Sequence, residues 1–576
     1  MFSCKQLIND AFVEIRFARE VKNLYGAKVS YSLDGKTYQP CAIFPAKDAD
    51  GMLECSFWEW NQAVDYGNLK FKGKPHRVYW HLFLNHLHKH KGTVHVRVEA
   101  LLDDEIVTWD NTANLRPSRA VYLNDWKSYV GEQAGWKAQD DGSLSIEPKT
   151  EVSPLRVPMG VAGRYDIHMA IGWCTFNAML KLSNEEVSYP FNAPINRPEF
   201  MFKCCKEILW KTAELRKDSA MEILPTFLTV HEPQVAPFGA IRYIKLVPVK
   251  KKSPPRSPWA DKKLALYFEP YSWAFCYSLR DRRRMREAMS LYQEMGADEI
   301  HSQYIRFGSQ ALYPSRIAEL HNKTEAIADE GVRCPGPTEM VRSMDVLREC
   351  IDACRTLGLT HYANAGLTCC YPGTELEDRF SREHPDWRDG DILRFNRPET
   401  RAYAAGIVRE FVEWGTDGVT IDCMRYPYHH TEADLLSLFE EIHNAILEQA
   451  AGRTIPLTVR IPYGDVTYFR AFERLARKGG IQRVIPSGLM HSEPWLTLKP
   501  YLKWKDYGCE VYGLIDGWLG HLGTFNNSQI ALHRNPRSIR EDAAHFFREG
   551  ADGLYVYQAD LHLADALTRP VFGWRG

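Results

Sequence analysis

Over residues 263–576 short apolar runs alternate with longer amphipathic stretches, and few architectures accept that order. The runs are KLALYFEP, DEIHSQYI, THYANAG, DGVTID, PLTVRI, RVIPSG, EVYGLID and DGLYVYQ. Between most of them lie segments with helical periodicity, such as DRRRMREAMSLYQEMG, TEMVRSMDVLRECIDACRTLG, RPETRAYAAGIVREFVEWG and TEADLLSLFEEIHNAILEQA. Gly296 and Gly415 stand where helices end, as C-terminal caps require. Strand followed by helix implies parallel strands joined by helical crossovers, and eight such units close into a (β/α)₈ barrel. An open doubly wound sheet is the competing architecture. It carries a Gly-rich phosphate turn after its first strand, whereas this first strand runs into EPYSWAF.

A chain of 576 residues is too long for one core, and the part before the barrel has a different texture. Residues 1–112 read as a β-sandwich-like domain: AKVSYSLDGKTYQPC alternates around an Asp34-Gly35 turn, and RVYWHLFLNH and GTVHVRVEALLDDEIV supply further strands. His86, His88 and His90 alternate between these strands; they could share a strand face and hold a metal, or simply mark a solvated hairpin end. Residues 113–250 read as a second, jelly-roll sandwich, with AGRYDIHMAIGW and NAMLKLSNEEV as paired strands and GAIRYIKLVPV closing it. That layout resembles galactose-binding-like sandwiches, and a purely structural sandwich accounts for it equally well. A proline-rich linker, 251–262, precedes the barrel at 263–576.

The charge balance, 72 Lys+Arg against 73 Asp+Glu, leaves no concentrated basic surface for nucleic acid. No apolar run reaches the roughly 18 residues that span a bilayer. The opening MFSCKQLINDAFVEIRF lacks a basic region followed by an apolar stretch, so it does not read as a secretory signal. The 14 Cys are scattered without a C-x-x-C, as expected of reduced thiols in a cytoplasmic protein. Aromatics are 12% of the chain, with 16 Trp, which suits sugar stacking and large sandwich cores alike.

In a barrel of this kind the site lies at the C-terminal ends of the strands. The fourth run is the most informative, because a buried strand there ends in Asp422. A carboxylate closing an apolar strand is costly unless it is paired or functional. Arg425, three residues on, is placed to pair with it or with a substrate, and an Asp–Arg bridge that merely stitches the rim is the plain alternative.

Here the sequence resembles a known group. HPDW at 384–387, followed by LRFNRPETRAYAAGIVREFVEWGTDGVTIDCMRYP, is similar to glycosyl-hydrolase-like families with the α-amylase and α-galactosidase type of barrel. The resemblance covers about 50 residues and centres on the strand-four pattern DG-x-x-x-D-x-x-R-Y-P. It implies a glycoside hydrolase with Asp422 as nucleophile, and it assigns no general acid.

The acid is therefore sought by position, since glycoside hydrolysis needs two carboxyl groups flanking the scissile bond. Glu493 in the loop after strand six is the first candidate, Asp516 at the end of strand seven the second, and Glu269 after strand one the third. Other strand-end groups are expected to bind sugar hydroxyls or rings: Tyr271, Trp273, His301, Gln303, Asn364, Arg460, His491, Trp518, Tyr557 and Gln558. No metal or organic cofactor is implied. Carbohydrate is the expected partner, with neither nucleic acid nor membrane, and self-association is left open. P-loop, H-E-x-x-H and G-x-S-x-G motifs are absent from the sequence, which removes the commonest nucleotide, zinc-protease and esterase readings. The rivals are a non-catalytic glycan-binding barrel and a sugar lyase or isomerase on the same scaffold.

Overall fold

The computed structural model describes residues 1–21, 24–44, 53–56, 64–65, 77–103, 105–140, 142–146, 152–172, 176–185, 188–193, 204–225, 240–250, 259–277, 279–323, 336–424, 430–488, 496–516, 536–564 and 572. The chain folds into two compact units. The first is built from Met1–Glu185, Phe191–Pro225 and Pro237–Lys252, and the second mainly from Ser253–Gly576.

The first unit is made of antiparallel sheets. Strands 2–7, 12–17, 77–81 and 43–44 form one, and strands 105–115, 92–102, 24–32 and 39–40 another, with Val64–Asp65 also pairing to 24–32. Their inner faces share one core around Val13, Ile15, Trp80, Val96 and Val98. A third sheet runs 136–138, 144–146, 240–248, 163–172, 204–215 and 53–56, and a fourth 155–158, 220–225, 176–182 and 189–193. Leu53–Ser56 therefore pairs with Cys204–Leu215, so the stretches expected as 1–112 and 113–250 exchange a strand. A buried network ties the same two stretches together. Lys245 bridges Glu207 and Asp10, and the Tyr243 hydroxyl donates to Glu207 at 2.9 Å. Residues 82–90 form turns, and His86 has φ 59°, so the three alternating histidines do not line a strand face.

The second unit is a closed parallel barrel of eight strands: Lys263–Phe268, Glu299–Arg306, Thr360–Gly366, Gly418–Asp422, Leu457–Pro462, Arg483–Ser487, Glu510–Asp516 and Gly553–Tyr557. They are numbered one to eight below. Each is buried on both faces apart from an end residue, as expected where helices cover the outside. The helices end and begin on local signals. Gly358 caps Val346–Leu357 in the left-handed region, and Thr431 with Asp434 forms a capping box for Glu432–Gln449. The stretch TEMVRSMDVLRECIDACRTLG, periodic enough to read as one helix, is two. Met344 is extended, and the Asp345 side chain accepts from Arg348 N to start the second helix. Among the described residues no helix is long and apolar enough to cross a membrane.

The barrel interior is unusually polar. Towards the N-terminal ends of the strands, Arg483 donates to Glu299 at 2.5 and 3.1 Å and lies 4.2 Å from the Tyr512 ring centroid. Above it the His301 ring stacks on Tyr362 at 4.3 Å, and His301 Nδ1 pairs with the Thr420 hydroxyl at 2.6 Å. Gly418 is needed beneath Tyr362, because a Cβ there would sit 2.2 Å from the ring.

Candidate active site

Backbone register sets which side chains meet at the C-terminal mouth. Gln303 pairs with Asn364, Gly366 with Asp422, Asp422 with Arg460, and Asp516 with Tyr557. Alternation turns Tyr267, Gln303, Asn364, Asp422, Arg460, Ser487, Asp516 and Tyr557 inward as one polar layer above the His301–Thr420 level.

Asp422 is held on both oxygens. Arg460 Nη1 donates to Oδ2 at 3.0 Å, and the Met424 backbone N–H donates to Oδ1 at 2.9 Å. Arg460 itself is 1% exposed, donates Nε to the Ser487 hydroxyl at 3.0 Å, and stacks over the Tyr557 ring at 3.8 Å. Burial opposes its charge, but Asp422, Tyr557, Tyr555 and Asp516 more than offset this and raise its pKa. The described cation of Asp422 comes from strand five; Arg425, Glu493, His491 and Trp518 lie outside the described residues.

Asp516 closes strand seven fully buried. Glu269, just past strand one, accepts from the Ser272 hydroxyl, and the single proton of the Tyr267 hydroxyl is shared between Glu269 Oε1 at 3.3 Å and Gln303 Oε1. Asn364 is fully buried, and neither its Nδ2 nor its Oδ1 makes a hydrogen bond among the described residues. The same holds for Arg460 Nη2 and for Gln558 Oε1.

Two expected ligands sit elsewhere. His301 is fully buried below the polar layer, and burial lowers its pKa to about 4, so it is a neutral interior group. Trp273 is 2% exposed and packs against Phe268 and Tyr292 on the outer side of strand one, donating to the Tyr292 hydroxyl at 3.3 Å. Tyr271 is half-buried beside His321, its ring edge-on at 5.6 Å.

Arg306 is the residue that sequence reasoning missed. Strict alternation from His301 and Gln303 points Ile305 inward and Arg306 outward. The register instead shifts between Gln303 and Ile305, a β-bulge that returns Arg306 to the inner face opposite Gly366. A Cβ on Gly366 would stand 3.0 Å from Arg306 Cγ, 3.1 Å from its Nη1 and 3.2 Å from Gln303 Nε2, so the arginine lies across that glycine. The guanidinium comes within 3.7 Å of Glu269 Oε1. Cys369 and Tyr371 after strand three and Gln558 after strand eight all have positive φ (74°, 53° and 51°), a concentration of backbone strain at one end of the barrel of the kind found at functional sites.

No protein-family model matches the chain, and no curated protein matches it in sequence. Solved structures with a similar fold include α-L-fucosidase isoenzyme 2 from Paenibacillus thiaminolyticus, at 14% identity and TM-score 0.37, covering 55% of this chain and 48% of that one. A putative α-L-fucosidase from Bacteroides thetaiotaomicron aligns at 10% identity and TM-score 0.37 over 57% of this chain and 97% of its own. A GH18 chitinase from Pseudoalteromonas aurantia aligns at 14% identity and TM-score 0.31 over 54% and 99%. This chain spans about half the length of the first of these.

Proposed function

We propose that the chain is a glycoside hydrolase that cleaves a glycosidic bond in an oligo- or polysaccharide with retention of configuration. The observation that supports this is the set of carboxylates, Glu269, Asp422 and Asp516, at the ends of strands one, four and seven, around a layer of neutral hydrogen-bonding side chains. Asp422 suits a nucleophile, because Arg460 and the Met424 amide fix its orientation and balance its charge while each oxygen keeps a lone pair. Asp516 takes the second role. It closes strand seven on the inward face of the layer that holds Asp422, whereas Glu269 stands just past the end of strand one; Glu493, in the sequence after strand six, is the alternative acid.

In the first step an Asp422 oxygen bonds to the anomeric carbon as the bond to the leaving oxygen breaks, and Asp516 gives that oxygen its proton. In the second step Asp516 takes a proton from water, the hydroxide oxygen bonds to the anomeric carbon, and Asp422 leaves. Turnover of aryl glycosides and oligosaccharides by Asp422→Asn tests the proposal. Loss of a nucleophile lowers kcat by about 10³-fold or more, and activity within about tenfold of wild type would refute the role. A second reading, a glycan-binding barrel without catalysis, is favoured by the closed Asp422–Arg460 pair if that pair is purely structural. It predicts glycan binding by the wild type with no hydrolysis.

A further inference from the structure

Arg306 is 8% exposed and carries five N–H donors, yet among the described residues none of them has an acceptor within hydrogen-bond reach. Its described ion-pair partner, Glu269 Oε1, stands 3.7 Å away and already accepts from Tyr267. None of its nitrogens is among the buried atoms left without a partner, so the guanidinium opens to the mouth, where the oxygens of an occupant can reach it. Around it Asn364 Nδ2 and Arg460 Nη2 lack acceptors, Asn364 Oδ1 and Gln558 Oε1 lack donors, and the Glu269 and Asp516 carboxylates stand at the same end of the barrel. An occupant that meets Arg306 brings oxygen acceptors, and the planar fork of the guanidinium matches a group with two equivalent oxygens.

The position fits a substituent on the reacting sugar. Gly366 registers with Arg306 on one side and with Asp422 on the other. The two functional side chains therefore spring from strands two apart, about 10 Å at the usual strand spacing. A pyranose ring whose anomeric carbon faces Asp422 can direct an exocyclic group to Arg306.

We infer that Arg306, delivered to the mouth by the strand-two bulge, recognises an oxyanionic substituent of the sugar, a carboxylate or a sulfate ester, so that the substrate is an acidic glycan. The inference rests on the reading of this mouth as a sugar site. Calorimetric titration of the full chain tests it, with glucuronate, galacturonate and glucose 6-sulfate set against glucose and galactose. Acidic sugars bind about 10- to 100-fold more tightly than their neutral parents in the wild type. Arg306→Gln abolishes that preference, and Arg306→Lys, which keeps the charge without the fork, restores part of it. A preference confined to the uronates identifies the carboxylate, and one confined to the sulfated sugar identifies the ester. Absence of any acid preference in the wild type, or its persistence in a folded Arg306→Gln variant, overturns the inference. Binding is read without turnover, so the two proposals fail separately. Hydrolysis confined to neutral glycosides with no acid preference refutes this inference alone, whereas selective binding of acidic sugars without cleavage refutes the hydrolase reading alone.

Discussion

Arg460 reaches inward from the fifth strand to donate to Asp422 at 3.0 Å while its guanidinium lies 3.8 Å over the ring of Tyr557 on the eighth strand. One cation thereby orients the fourth-strand carboxylate and covers a face of the tyrosine that was expected to meet the substrate. Under the proposed hydrolase reading, sugar hydroxyls meet Gln303, Asn364 and Arg306 rather than that ring face.

Removing the cation leaves a buried carboxylate without its counter-charge. Arg460→Met is expected to lower stability by about 3–5 kcal/mol, read as a shift in the urea midpoint. The double variant Asp422→Asn/Arg460→Met is expected to be more stable than the two single losses add up to, because the groups interact directly. Strict additivity would show that the pair is not coupled.

Two glycines of the barrel interior separate site from scaffold. Gly366→Ala pushes against the flexible Arg306 side chain at 3.0–3.1 Å, so stability is expected to fall by about 1 kcal/mol or less while acidic-sugar binding weakens. Gly418→Ala drives a Cβ to 2.2 Å from the packed Tyr362 ring, with an expected loss of about 3 kcal/mol or more. Thermal melts of the two variants check the ranking.

Acid weakens the protein in two stages. Burial lowers His301 and His168 from 6.5 to about 4, with Lys245 adding to the shift at His168, so the folded state keeps them neutral. Between those values the unfolded chain binds the extra protons, and stability falls as pH drops from 6.5 to 4. Glu299 follows. Burial alone would raise it, but His301 and Arg483 hold it at about 2, so its contribution is present above 4.5 and is lost on the way down to 2. Each group contributes a slope of at most about 1.4 kcal/mol per pH unit. Unfolding free energies measured against pH are expected to be flatter between 4 and 6.5 for His301→Gln than for the wild type.

The proton donor is identified by leaving-group dependence. Asp516→Asn is expected to lower kcat/KM about 10²- to 10⁴-fold for substrates with a poor leaving group and far less for dinitrophenyl glycosides, whose departure needs no proton. Glu493→Gln and Glu269→Gln, assayed in parallel, are expected to lack that split. A split in either of them instead would transfer the role.

Strand positions in the barrel were legible from the chain, and THYANAG and EVYGLID coincide with strands three and seven residue for residue. The reason is physical: strands buried on both faces need unbroken apolar runs, and the helices between them need amphipathic periodicity and caps. The same logic placed Asp422 and Asp516 as the last residues of buried strands, whereas Asn364, expected after strand three, lies two residues inside it. Pairing across strands was not legible, because Arg460 is 38 residues from Asp422 in the sequence and only barrel closure brings the two strands together. Nor was the first unit's exchange of Leu53–Ser56 into a sheet formed by later strands. Alternation alone determined which residues each regular strand turns inward. The strand-two bulge, one residue of register slip that depends on the neighbouring strand, was settled only when the barrel closed, and it brought Arg306 to the mouth.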